Sequence, residues 1–214
     1  MDAPAAVIAE VLAETGVLPV VVLDDADQAG PLGAALLAGG LRAVEVTFRT
    51  AAAEAAIRTL AKEPELLVGA GTVVNPDQVD RAVEAGARFV VSPGFSPAVA
   101  GRCAQRGVPL FPGVATGTEI MMALDAGLET VKFFPAERLG GVAMVSALSA
   151  PFPSVRFVPT GGIDAANLAD YLSIPAVLAV GGTWMVARPL LREGRWDEIS
   201  ALAAAAVRAG GRAG

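Results

Sequence analysis

Short apolar runs rich in β-branched residues recur along this chain at intervals of about 20 to 30 residues, each followed by a stretch with helical spacing. The runs fall at 19–24, 43–48, 66–73, 89–92, 109–114, 130–137, 156–160 and 177–180. The helical stretches fall at 27–39, 51–62, 77–85, 97–106, 118–126, 141–149, 165–172 and 196–209. One more, 4–15 with Val7, Ile8, Val11 and Leu12 on helical spacing, precedes the first run and ends at Gly16. Asn75-Pro76 marks one joint as an N-cap followed by a first-turn proline. Eight strand–helix units in 214 residues, with no linker long enough to mark a domain boundary, predict a single (β/α)8 TIM barrel over residues 1–214. An extra helix is expected within 1–16 and a frayed tail at 210–214. A doubly wound open sheet is the alternative, and it would need a reversal of strand order, on which the sequence is silent.

Composition removes whole classes of function. An apolar fraction of 54% is ample for a core, and 16 basic against 22 acidic residues, with no Lys/Arg cluster longer than two, offer nothing to a nucleic-acid backbone. No basic segment leads into an apolar one at the N-terminus and no apolar stretch reaches about 18 residues, so the expectation is a cytoplasmic protein without a membrane partner. Cys103 is alone, which excludes an internal disulfide and reads as core packing. The chain has no histidine. Triads built on imidazole and typical zinc sites are therefore unavailable, a metal site would need carboxylates alone, and neither metal nor cofactor is expected. Acid–base work must fall to Glu, Asp, Lys or Tyr.

Lys132 stands in the middle of the apolar run Thr130-Val131-Lys132-Phe133-Phe134-Pro135-Ala136-Glu137. In a strand covered on both faces a charge costs several kcal/mol unless it is partnered. The bland reading is an edge residue whose stem lies on the fold and whose ammonium reaches water. Strand parity argues otherwise. Val44, Val46 and Phe48 share one parity and would face the helices, so Glu45, Thr47 and Arg49 face the barrel interior. By the same rule Val131 and Phe133 take the helix side, while Lys132 and Phe134 point inward. A lysine, a glutamate and an arginine then converge on one buried space. A charge-balanced network filling the barrel would do the same, but buried ion pairs are weak stabilisers and barrel interiors are usually filled by branched apolar residues.

A second constellation lies in the last two units, Pro159-Thr160-Gly161-Gly162-Ile163-Asp164 and Val180-Gly181-Gly182-Thr183-Trp184. Glycines allow backbone N–H groups to approach an anion, and the ends of the last two barrel strands are where phosphate groups are commonly held. A single tight Gly-Gly turn would be unremarkable; two at these positions point to a phosphorylated ligand.

Together with Glu45-Val46-Thr47-Phe48-Arg49-Thr50, Gly69-Ala70-Gly71-Thr72-Val73 and Ser92-Pro93-Gly94, these stretches give a chain that resembles, over nearly its whole length, the 2-keto-3-deoxy-6-phosphogluconate and 4-hydroxy-2-oxoglutarate aldolase family. The resemblance implies a metal-independent lyase with Lys132 as the Schiff-base lysine and Glu45 as general acid/base. It implies Arg49 and Thr72 at the pyruvate carboxylate, and Pro93, Phe134 and Thr160 lining the substrate site. It places the phosphate at Gly161, Gly162, Gly181, Gly182 and Thr183, and it implies a homotrimer. Many relatives carry serine where this chain has Thr183, whose extra methyl crowds the phosphate position. The implied partners are a phosphorylated keto acid and pyruvate.

The residue types fit that chemistry on their own terms. Cleaving a carbon–carbon bond beside a carbonyl without a metal requires an iminium to accept the electrons, and hence a lysine. A lysine in water at pH 7 is protonated, so such a site must favour the amine, through burial and a neighbouring cation such as Arg49, while Glu45 acts in the opposite sense. Three rivals stand beside this reading: a sister aldolase acting on the galactonate epimer or on an unphosphorylated substrate, a phosphosugar epimerase, and a barrel that binds a phosphorylated metabolite without turnover. The last two give Lys132 beside Glu45 nothing to do.

Overall fold

The computed structural model describes residues 3–211. The helices are α1 (Ala3–Thr15), α2 (Ala29–Ala38), α3 (Ala53–Leu60), α4 (Pro76–Glu84), α5 (Pro97–Arg106), α6 (Gly117–Asp125), α7 (Gly141–Ser149), α8 (Leu168–Leu172), α9 (Arg188–Arg192) and α10 (Trp196–Gly210). The strands are β1 (Val17–Val21), β2 (Ala43–Thr47), β3 (Leu67–Gly71), β4 (Phe89–Val91), β5 (Leu110–Phe111), β6 (Gly113–Val114), β7 (Thr130–Phe133), β8 (Arg156–Pro159) and β9 (Val180–Gly182).

All strand pairs among the described residues are parallel, in a six-stranded sheet of order β5-β4-β3-β2-β1-β9 and a three-stranded sheet of order β6-β7-β8. The architecture is thus an α/β fold with a curled parallel sheet rather than eight uninterrupted strands. The sheets adjoin at Pro112, and isolated bridges Phe157↔Val177 and Thr160↔Gly181 lie at the other junction. The predicted strand 109–114 divides there because proline has no N–H for the ladder. Its carbonyl still serves, accepting from the Lys132 N–H at 2.8 Å.

Other boundaries move for local reasons. The first strand begins at Val17, because Val17 and Leu18 pair with β9 before Val20 and Val21 pair with β2. The run 130–137 leaves the sheet after Phe133, ahead of Pro135, and the last strand falls at Val180–Gly182 instead of 177–180, with Val177 reduced to one bridge. Helix 165–172 starts only at Leu168, since residues 164–167 form a turn in which the Asn167 side chain accepts from the Asp164 N–H at 2.9 Å. Helix α9 has no counterpart among the helical stretches of the sequence. Its Arg188 and Arg192 both bond Asp24 beyond the end of β1, and those bonds, Arg188's first, hold the Asp24 carboxyl below the usual carboxylate range. Gly210 ends α10 rather than starting a frayed tail; residues 212–214, like residues 1 and 2 of the N-terminal expectation, lie outside the described residues.

The caps explain why several helices start where they do. Asn75 accepts from the Gln78 N–H at 2.9 Å ahead of Pro76, Ser96 does the same for Val99 ahead of Pro97, and Thr116 with Glu119 forms a reciprocal capping box.

Strand alternation produces two apolar layers. Val44, Val46, Val68, Ala70, Val131 and Phe133 pack outward against the helices. Leu18, Ala43, Phe89, Val91, Phe111, Val158 and Leu178 pack inward, joined by Ile8 and Leu12 of α1. Phe89 and Phe111 meet at a ring separation of 5.6 Å, and Phe89 has room because a Cβ on Gly69 would lie 2.2 Å from its ring. Helix α1 therefore stoppers the N-terminal end of the strands and leaves the C-terminal end for a ligand. Leu12, fully buried in that stopper, should on replacement by alanine lower unfolding free energy by about 2–5 kcal/mol, read as a shifted urea midpoint at unchanged slope.

Candidate active site

At the C-terminal ends of the strands lies a cavity of about 330 Å³. Its walls bring together every residue the sequence singled out: Glu45, Arg49, Thr72, Pro93, Lys132, Phe134, Thr160, Gly161, Gly162, Gly181, Gly182 and Thr183. Val20, Thr47 and Ile163 complete the lining. A larger cavity of about 740 Å³, between α5 and α6, offers Asp125 and Glu129 but no cation, and its Cys103 thiol is pushed up to about 12 by burial, hence protonated and inert near neutral pH. The residues singled out for chemistry line the smaller one.

Lys132 is 7% exposed and Glu45 1%, with Nζ 3.2 Å from Oε1 and 3.5 Å from Oε2. Neither side chain has another polar partner among the described residues, so the pair is a solitary buried ion pair, which is a poor stabilising device. The Phe134 ring lies 5.4 Å from Nζ, close enough for a cation–π contact. Glu45 reaches inward because β3 yields space: a Cβ on Gly71 would lie 2.1 Å from Oε1 and 2.5 Å from Cγ. Thr47, on the same inward parity, donates to the Val21 carbonyl at 2.9 Å and ties β2 to β1.

Arg49 departs from expectation. It lies beyond the end of β2 and is exposed, so it borders the cavity at its rim and does not join Lys132 and Glu45 in a buried triad. Among the described residues it has no ion pair or hydrogen bond, and its five donors are open to a ligand. Thr72, just past β3, adopts φ +57°. For a β-branched residue this left-handed conformation is strained by about 1–3 kcal/mol, and such strain collects at ligand sites.

The two Gly-Gly turns face each other. Thr160 is 6% exposed, and a Cβ on Gly181 would lie 2.2 Å from its Oγ1, so the glycine makes room for the hydroxyl. Gly161 and Gly162 have φ of +103° and +81°. The Gly161 carbonyl accepts from the Glu137 N–H at 3.1 Å and the Gly162 carbonyl from Asn167 Nδ2 at 3.1 Å. The Gly162 and Ile163 N–H groups have no partner among the described residues, and unpaired backbone donors beside the cavity suit an anion.

A family model described as KDPG and KHG aldolase matches residues 8–202. The chain belongs to this family. It is 51% identical to the 2-dehydro-3-deoxy-phosphogluconate aldolase of Treponema pallidum, over 90% of this chain and 92% of that one. It is 48% identical to the KHG/KDPG aldolase of Escherichia coli, over 93% and 94% of the two chains. Among solved structures, the Legionella pneumophila KDPG aldolase, captured at low pH with pyruvate as a covalent carbinolamine intermediate, superposes with a TM-score of 0.89 at 42% identity, covering 92% of this chain and 97% of that one.

Of the lining residues, Val20 has no place in the sequence reading, although inward parity on the first strand points to it, and Ile163 enters only as part of the Gly161-Gly162 motif, with no role of its own. The role of Gly71 had no signal beyond its place in a glycine-containing motif. Gly71→Ala should cost about 1–3 kcal/mol of stability by overpacking, and Glu45→Ala should rescue most of that loss. Urea unfolding of the two single variants and the double variant measures the coupling, and simple additivity would contradict the contact.

Proposed function

We propose that this chain is an aldehyde-lyase of the Schiff-base class that reversibly cleaves 2-keto-3-deoxy-6-phosphogluconate to pyruvate and D-glyceraldehyde 3-phosphate. The observation that carries the reading is the buried Lys132 amine held 3.2 Å from the buried Glu45 carboxylate, a pairing that is hard to justify as structure and well suited to imine chemistry. In this scheme the Lys132 amine, after giving a proton to Glu45, attacks the C2 carbonyl of the keto acid. Glu45 returns protons as the carbinolamine forms and loses water. The resulting iminium withdraws electrons while Glu45, directly or through a water, takes the proton of the C4 hydroxyl, and the C3–C4 bond breaks. The enamine left on Lys132 is protonated at C3, and hydrolysis releases pyruvate. Arg49 and Thr72 grip the carboxylate, the guanidinium by two parallel hydrogen bonds. Pro93, Phe134 and Thr160 line the carbon chain, and the two Gly-Gly turns with Thr183 receive the phosphate.

Cleavage of 4-hydroxy-2-oxoglutarate to pyruvate and glyoxylate is a second activity that the Lys132 end of the cavity supports by itself, because in this scheme the phosphate is received at the Gly-Gly turns. Preference for the gluconate over the galactonate epimer belongs to the same proposal. So does closure of the two sheets through the Phe157 and Thr160 bridges into a full (β/α)8 barrel spanning the chain as one domain. A cytoplasmic homotrimer belongs to the reading too, the trimer on the family resemblance and the compartment on its phosphorylated substrates.

Incubation with pyruvate and borohydride should add one reduced adduct, located on Lys132 by peptide mapping; a folded protein left unlabelled there refutes the imine. Glu45→Gln should keep the fold and lower kcat by about 10²-fold or more, measured by coupled assay, and an undiminished rate would remove Glu45 from the proton transfers.

A further inference from the structure

The segment that follows the lysine strand is sewn to the first Gly-Gly turn. The Ala136 N–H donates to the Thr160 carbonyl at 2.8 Å and the Glu137 N–H to the Gly161 carbonyl at 3.1 Å. The Glu137 side chain starts in the space a side chain on Gly162 would need, since a Cβ there would lie 2.7 Å from both Cβ and Cγ of Glu137. A carboxylate is thereby anchored next to the turn whose free N–H groups suit an anion. Glu137 is exposed, but like charges repel at short range, so a carboxylate left beside the turn works against a phosphate bound there.

The carboxylate is turned aside by Tyr171. This tyrosine, alone in the sequence and fully buried on α8, donates its hydroxyl to Glu137 Oε1. Gly141, at φ +58°, admits the contact, because a Cβ there would stand 3.2 Å from both Glu137 Oε1 and Tyr171 Oη. Burial, and then the bond to Glu137, raise the tyrosine's pKa well above its usual value, so the hydroxyl keeps its proton and remains a donor throughout the neutral range. Neither Glu137 nor Tyr171 lines the cavity. We propose that Tyr171 is a positioning residue that holds the Glu137 carboxylate away from the Gly161–Gly162 turn and so sets affinity for the phosphorylated end of the substrate. The inference rests on the proposed function for the identity of that substrate. It concerns the phosphate end alone, and leaves imine chemistry at Lys132 untouched.

The test crosses charge with reach. Tyr171→Phe removes the donor and frees the charge. Glu137→Asp keeps the charge but shortens the stem, so that the carboxylate no longer reaches Tyr171. Glu137→Gln keeps the reach and removes the charge. Tyr171→Phe and Glu137→Asp should each raise KM for 2-keto-3-deoxy-6-phosphogluconate about five- to tenfold with kcat within about twofold, leaving KM for 4-hydroxy-2-oxoglutarate unchanged. Glu137→Gln and the Tyr171→Phe/Glu137→Gln double variant should stay within about twofold of the parent. Inorganic phosphate titrated by calorimetry should follow the same order, which keeps the inference testable if the parent enzyme turns over neither substrate, a result that would count against the proposed reaction. Should Tyr171→Phe fail to fold, the aspartate–glutamine contrast carries the test. Equal KM shifts on both substrates, no shift, or a double variant as weak as Tyr171→Phe would overturn the proposal.

Discussion

A buried lysine facing a buried carboxylate is the contact on which the rest of the structure depends. Each ion loses several kcal/mol of hydration on entering the fold, and their mutual attraction returns that only when the geometry is good. Lys132 and Glu45 are 87 residues apart and belong to different sheets, β7 and β2. Since β7 and β2 share no ladder, the sheets must curl toward one another to deliver both side chains to one point. The curl of the sheet is therefore a condition for the chemistry and not merely its container.

The interior of the curled sheet is partitioned around that contact. Its N-terminal half is filled by Phe89, Phe111, Val158, Leu178 and the α1 residues Ile8 and Leu12, which keep water from entering behind the ion pair. Its C-terminal half is kept open by glycines, with Gly71 beside Glu45 and Gly181 beside Thr160. Gly69 makes the same kind of room for Phe89 in the apolar half, as close packing requires.

Much of this was legible in the sequence because alternation is a short-range signal. The parity of residues 43–49 gave Glu45 its direction, the parity of 130–134 gave Lys132 its own, and the Gly-Gly turns announced themselves by composition. What escaped depends on distances no periodicity encodes. Parity carried Arg49 inward, but β2 ends at Thr47 and the guanidinium stands at an exposed rim. Pro112 broke a strand through a missing donor whose effect depends on which neighbour needed it. The last strand slid from 177–180 to Val180–Gly182 because pairing with β1, and not hydrophobicity, defines it. Tyr171 gave no hint of Glu137, since the two meet only after α8 has docked.

The working end of this cavity is shaped largely by side chains that are not there. Gly71, Gly181 and Gly182 are each surrounded so closely that a single added carbon would collide with Glu45, Thr160 or the Trp184 ring. Sequence space around the site is consequently lopsided. Drift and laboratory selection meet a wall at the glycines, whereas Pro93, Phe134 and Thr183, all exposed at the mouth, can vary without disturbing the core. Room to alter substrate preference therefore lies at the rim, while additions at these three glycines collide with their neighbours.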